Sequence, residues 1–167
     1  MITIGNYVKA ESLQQAWELN QKKSSRILGG MLWLKLGRGR IGTAIDLSGL
    51  GLDTVEETES EFSIGAMATL RQLELHEGLN AFTGGAVKAA VKDIVGVQFR
   101  NMATVGGSLW GRFGFSDVLS VFLALDSYVE LYKLMTAAVL TELLHRELLN
   151  ITLLMNWLAR ALSLLQT

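Results

Sequence analysis

The sequence predicts an α+β fold, with strands and helices segregated along the chain rather than strictly alternating. Three observations carry this. Strand-like runs at residues 26–28, 44–47 and 61–65 are followed by helix-like periodicities at 69–77, 86–95 and 118–125. Half of the 167 residues are hydrophobic, enough to bury a core in a chain whose length favours one domain or two small subdomains. All 17 glycines lie between Gly5 and Gly114, and the chain has no proline.

Ser12-Leu13-Gln14-Gln15 reads as a capping box, with Ser12 at the N-cap and Gln15 three residues on. A helix over 13–22 follows, with Leu13, Ala16, Trp17 and Asn20 on one face. Arg26-Ile27-Leu28 is a short strand running into a tight turn at Gly29-Gly30, and Ala44-Ile45-Asp46-Leu47 is another. Helix and strands together make a small βαβ-like start. The acidic stretch Asp53, Glu56, Glu57, Glu59 and Glu61 is expected to be a solvated hairpin turn, since it lacks metal-ligand spacing. A strand over 61–65 comes next. Thr69 caps a helix through about Glu77, with Leu70, Leu73 and Glu77 on one side and His76 near its C-terminus. Val87, Ala90, Val91 and Ile94 mark a helix over 86–95. Ser116 or Asp117 caps a helix over 118–125, and Tyr128-Val129-Glu130-Leu131 within 127–132 reads as a strand.

The composition changes at Lys133. Residues 134–167 hold 12 leucines, no glycine and only Glu142, Arg146, Glu147 and Arg160 as formal charges. Leu144, Leu148, Ile151, Met155, Leu158, Leu162 and Leu165 recur at alternating spacings of four and three, the stripe of an amphipathic helix or a coiled-coil seam. The tail is expected to be a helix that packs on its own domain or pairs the chain with a second copy.

Charge and composition exclude several classes. Fifteen Lys+Arg against 16 Asp+Glu remove the electrostatic reason for a nucleic-acid partner. No cysteine is present, so disulfides, thiolate metal sites and cysteine nucleophiles are excluded. His76 and His145 lie too far apart in sequence to suggest a histidine metal site. No catalytic residue and no metal ligand is expected. No uncharged apolar run approaches the ~20 residues of a membrane span, and the first residues lack a secretory pattern, which makes the cytoplasm the expected compartment.

Gly37-Arg38-Gly39-Arg40-Ile41-Gly42 matches G-x-G-x-x-G, the dinucleotide fingerprint, but the residues that follow read as strand and turn rather than the helix that fingerprint needs. A nicotinamide-binding Rossmann protein is therefore a minor alternative. Two glycine pairs matter more. Leu28-Gly29-Gly30-Met31 ends a strand, and Thr104-Val105-Gly106-Gly107-Ser108 lies between apolar segments, flanked by Arg100 and Arg112. Successive glycine N–H groups can form anion-binding nests, and the Thr104 and Ser108 hydroxyls add donors. Two such loops can clasp a diphosphate. Arg38, Arg40, Arg100 and Arg112 are expected to be solvated or structural, though each can pair with phosphate. Trp17 and Trp33 are expected in the core; Trp110 is better placed for ligand contact.

Arg100-Asn101-Met102-Ala103-Thr104-Val105-Gly106-Gly107-Ser108-Leu109 strongly resembles the FAD-binding subunits and domains of molybdenum hydroxylases, the xanthine dehydrogenase and carbon monoxide dehydrogenase medium-subunit family. Arg26-Ile27-Leu28-Gly29-Gly30, Ile45-Asp46-Leu47-Ser48-Gly49-Leu50, Ile64-Gly65-Ala66-Met67-Ala68-Thr69-Leu70, Ser116-Asp117-Val118-Leu119 and Leu123-Ala124-Leu125-Asp126 agree in order, over roughly residues 1–132. The resemblance implies two α+β subdomains of the molybdopterin dehydrogenase type with FAD between them, here 1–54 and an incomplete 55–133, followed by the helical tail 134–167. It implies that Leu28, Gly29, Gly30 and Met31 approach the pyrophosphate. Thr104, Val105, Gly106, Gly107 and Ser108 would bind the phosphate–ribityl region, and Asp117 would hydrogen-bond the cofactor. It further implies an electron-transfer role between molybdopterin-binding and iron–sulfur partner subunits and a final acceptor such as NAD. Two departures stand out. Relatives follow the first glycine pair with a small polar residue, where Met31-Leu32-Trp33 stands here. Residues 134–167 resemble neither the rest of the FAD domain nor its C-terminal neighbour, so the chain is expected to be a truncated flavoprotein with an abnormal or out-of-frame terminus. The alternative function is a non-catalytic remnant of that scaffold, oligomerised by its tail.

Overall fold

The computed structural model describes residues 1–125 and 127–132, and Met1–Tyr132 form one compact unit. The expectations for Asp126 and for the tail 134–167 lie outside the described residues.

Strand β1 (Ile2–Lys9), helix α1 (Leu13–Asn20), strand β2 (Ser25–Leu28) and strand β3 (Gly39–Asp46) build the first layer. The three strands form a parallel sheet in the order β1-β3-β2, with Ile2 opposite Gly39, Lys9 opposite Asp46, and Ser25 opposite Thr43. β1 is not evident from local pattern, because Gly5 and Asn6 interrupt its apolar alternation and most of it is exposed. Its ladder with β3 makes it a strand. The central strand carries the buried residues Ile41, Ala44 and Ile45, as expected where neighbours pair on both sides. At its end, Asp46 accepts a hydrogen bond from the Tyr7 hydroxyl and another from the Ser48 N–H (2.8 Å). The Tyr7 bond is the main reason that the Asp46 carboxyl is held below the usual carboxylate range.

The Ser12 cap is present, its hydroxyl accepting from the Gln15 N–H at 3.1 Å. Gln15 Oε1 reaches back to the Glu11 N–H (2.7 Å), one residue earlier than a capping box requires.

Strands β4 (Val55–Glu57) and β5 (Phe62–Ile64) form an antiparallel hairpin through the acidic stretch. Five short helices and a longer one follow: α2 (Leu70–Leu75), α3 (Glu77–Phe82), α4 (Ala86–Val91), α5 (Val97–Met102), α6 (Val105–Gly111) and α7 (Asp117–Ala124). The single helix expected from Thr69 to Glu77 is broken at His76, which adopts an extended conformation (ψ 108°) and accepts the Leu79 N–H on its Nδ1. Asn80 makes that break stable. Its Nδ2 donates to the Leu73, Glu74 and His76 carbonyls at 2.8–3.2 Å, supplying the end of α2 with the donors a helix C-terminus lacks. Its Oδ1 accepts the Lys88 N–H at 2.9 Å. The helix expected over 86–95 stops at Val91, and Val95 sits in the left-handed region (φ 52°). Residues 127–132 are not a strand. Tyr128, Val129, Leu131 and Tyr132 are exposed, and no described strand offers them a ladder, without which β-propensity makes no strand.

Two separate apolar clusters flank the parallel sheet. Ala10, Ala16, Ile45 and Leu47 pack under α1, while Leu28, Ile41 and Ala44 collect Ile2, Met31 and Leu34. The helical region has its own larger core of Ala68, Leu70, Leu73, Leu79, Val87, Val91, Ala103, Val105 and Val118, against which Leu32 packs. Met31 and Leu32, neighbours in the chain, thus anchor in two different cores.

Candidate functional site

The two glycine segments singled out in the sequence meet. A Cβ on Gly29 would lie 2.7 Å from Thr104 Oγ1 and 3.8 Å from Gly107 Cα. A Cβ on Gly30 would overlap the Met102 carbonyl, 2.6 Å from its carbon, and stand 3.2 Å from Ala103 Cα. Only glycine permits this approach. Gly106 is held the same way against Ala66, with a Cβ 2.8 Å from the Ala66 carbonyl oxygen. Gly29 and Gly30, the stretch 102–107 and Ala66 therefore form one contact, while Leu28 is buried with Ile41 and Ala44. Ala66, Met102 and Ala103 were not among the expected site residues, although each stands inside a motif that carried the resemblance.

The segments differ in their hydrogen bonds. Residues 104–108 are not a loop but the start of α6. Thr104 is its N-cap, its hydroxyl accepting the Gly107 N–H at 3.2 Å. The Val105 N–H bonds to Ala68 O, the Gly106 N–H to Ala66 O and the Ser108 N–H to Thr104 O, at 2.8, 2.8 and 3.0 Å. Ser108 Oγ donates to the same Thr104 carbonyl. Every N–H from Val105 to Ser108 thus has an acceptor inside the fold. In contrast, the N–H groups of Gly30, Met31, Leu32 and Trp33 have no acceptor among the described residues. Met31 takes a left-handed conformation (φ 56°), and Gly30, Met31 and Leu32 are half-buried. A turn of unpaired N–H groups with a left-handed residue is the setting in which backbone binds anions.

The departure at Met31-Leu32 has a physical account here. Their apolar side chains pin the turn to two cores, and the backbone is the group left to face a ligand. Asp117 stands exposed in the first turn of α7, and no hydrogen bond joins it to the glycine contact among the described residues. Gly39 and Gly42 of the G-x-G-x-x-G match lie in β3, and the motif opens a strand rather than a helix. The Rossmann alternative is overturned.

Trp33 is not in the core. It is 56% exposed and packs on Phe113 and Phe115, with ring centroids 5.0 and 6.3 Å away. Trp110 is also exposed, with the Arg112 guanidinium 5.2 Å over its ring. Trp17 is half-buried on α1. Arg100 is structural. It is buried, with Nε 2.7 Å from Glu74 Oε2 and Nη1 on the Ile94 carbonyl. Arg71 Nη1 lies 2.6 Å from Glu74 Oε1. Hydrogen bonds from Arg100, then from Arg71, hold the Glu74 carboxyl below the usual range. This pair fixes α5 against α2 directly upstream of Met102–Thr104.

The arrangement defines an α+β domain with a glycine-built, backbone-donating turn wedged against a helix start. Residues 2–146 match the family described as the FAD binding domain in molybdopterin dehydrogenase, and the chain belongs to that family. The match runs past Lys133, further than the resemblance read from the sequence. The chain is 30% identical over 128 residues to proteins called YgfM in Escherichia coli K12 and O157:H7, covering 74% of this chain and 48% of theirs. Among solved structures, carbon monoxide dehydrogenase from Hydrogenophaga pseudoflava is similar at TM-score 0.65 and 25% identity, over 71% of this chain and 44% of that one. A Cu,Mo-CO dehydrogenase is similar at TM-score 0.66 and 22% identity (73% and 45%), and quinoline 2-oxidoreductase from Pseudomonas putida 86 at 0.54 and 20% (64% and 39%). The chain spans about half the length of the curated relatives it matches. The family is one of oxidoreductases, and FAD is its cofactor. The residues present fit FAD, since the unpaired N–H groups of Gly30–Trp33 are the donors a diphosphate needs. No helix among the described residues is long and apolar enough to cross a membrane.

Proposed function

We propose that this chain is the FAD-binding, electron-transferring part of a molybdenum hydroxylase, with 1–54 and 55–133 as its two cofactor-binding halves. One observation carries the reading: the turn at Gly30–Trp33 keeps its backbone donors free while glycine lets it seat directly on Met102–Thr104. FAD supplies the redox chemistry, passing electrons between metal centres of partner subunits and a final acceptor. The chain's part is to bind and orient. The Gly30, Met31, Leu32 and Trp33 N–H groups hold the diphosphate, with Leu28 and Gly29 bringing the turn to it. Thr104, Val105, Gly106, Gly107 and Ser108 form the platform beneath, and Asp117 is the acid that hydrogen-bonds the cofactor. The partners are molybdopterin-binding and iron–sulfur subunits of the xanthine dehydrogenase type, and the complex is cytoplasmic.

The test is a titration of the cofactor-stripped full chain with FAD, followed by flavin absorbance, with NAD as control. Saturable FAD binding without NAD binding is expected. A folded chain that takes up neither supports the scaffold without a cofactor and contradicts the proposal.

A further inference from the structure

We infer that Trp33, backed by Phe113 and Phe115, is the stacking face for one of the two planar rings of the bound dinucleotide. The inference rests on the FAD reading above and adds a residue that decides affinity for it. Trp33 is the last of the four residues whose N–H groups stay unpaired, so its indole stands beside the seat of the diphosphate. A ring tethered to that diphosphate is the group available to cover it.

The indole is held but not buried. Phe113 and Phe115 stack on each other at 5.3 Å and 17°, and both lean against Trp33. Phe113 lies over Gly111, where a Cβ would come within 2.8 Å of its ring, which fixes the group to the end of α6. Trp33 and Phe115 nonetheless remain 56% and 71% exposed. Core packing does not explain the indole, because the core anchors of this turn are Met31 and Leu32. An aromatic face already fixed by its neighbours loses little conformational freedom when a flat ring covers it, so stacking there favours binding. The trio also spans the two segments that meet at the glycine contact, joining the turn to the residues after α6.

The experiment uses the full chain, its Trp33→Leu and Trp33→Phe variants, and three ligands: FAD, FMN and ADP. Affinity is measured by equilibrium dialysis, and tryptophan emission is followed in parallel. Trp33→Leu is expected to weaken FAD by roughly tenfold, in line with ring stacking on an aromatic face, while Trp33→Phe stays near wild type. Emission quenching by FAD should shrink in Trp33→Phe, because its largest contributor is gone. Weakening seen with FMN and not ADP assigns the isoalloxazine to Trp33; the converse assigns the adenine. Unchanged FAD affinity in a folded Trp33→Leu chain, or equal quenching in wild type and Trp33→Phe, overturns the inference and leaves the FAD reading standing. Failure of the wild-type chain to bind FAD overturns both.

Discussion

Gly29-Gly30 and Gly106-Gly107 are both glycine pairs preceded by an apolar residue, and they differ in what their backbone does. The first pair leads a turn whose next N–H groups are unpaired. The second lies in the first turn of α6, with its N–H groups bonded to Ala66 O and Thr104 Oγ1. Gly29, Gly30 and Gly106 need glycine for close approach, but only the first pair presents donors. The difference teaches that a glycine pair marks a place where backbones meet, and that hydrogen-bond bookkeeping tells a ligand seat from a structural joint.

Substitutions at the two segments and their support separate the roles. The largest effect belongs to the platform's support. Arg100→Met leaves the buried Glu74 with Arg71 alone, which keeps the loss below that of an unpaired buried charge, and should cost about 2–3 kcal/mol, read as a fall in chemical-denaturation midpoint. The same pair gives an acid signature. Because the Glu74 carboxyl is held low in the folded chain, its contribution is complete above the ordinary carboxylate range. It is lost as the pH falls from that range through the lowered value of the folded chain. Stability should therefore drop on acidification, and drop less steeply in Glu74→Gln; parallel curves would assign acid sensitivity elsewhere.

Gly30→Ala comes next. The new methyl meets the Met102 carbonyl, and displacing that backbone should cost about 1–3 kcal/mol and abolish FAD binding. Thr104→Val removes the N-cap oxygen of α6 and should cost about 1 kcal/mol, with a smaller loss of FAD affinity, measured by thermal denaturation beside a titration. Gly107→Ala has the least effect. Its methyl would press only on the Thr104 hydroxyl, and alanine's better helix propensity offsets this to within about 0.5 kcal/mol.

Much of this fold was legible. The Ser12, Thr69 and Ser116 caps, the β2 and β3 strands and the acidic hairpin follow from local chemistry, and the structure contains them. What was not legible depends on distant residues. β1 is a strand through its ladder to β3, thirty-odd residues away in sequence. The break at His76 depends on Asn80 reaching back to three carbonyls. The start of α6 was read as a loop because glycines at 106 and 107 hide a helix whose N-cap is Thr104. At the site, the two segments and their meeting could be anticipated from glycine and family resemblance. That Met31 and Leu32 serve two cores, leaving Trp33 outside, could not, since apolar side chains alone do not say which core they enter.

On the proposed function, the first glycine segment holds the dinucleotide through its backbone and the second supports it. Calorimetric titration of FAD into wild type, Gly30→Ala and Gly107→Ala, each shown folded by its thermal transition, tests this most directly. Wild type is expected to bind, Gly107→Ala to bind within about threefold of it, a margin under 1 kcal/mol, and Gly30→Ala not to bind. Binding that survives in Gly30→Ala and disappears in Gly107→Ala would contradict this division of roles.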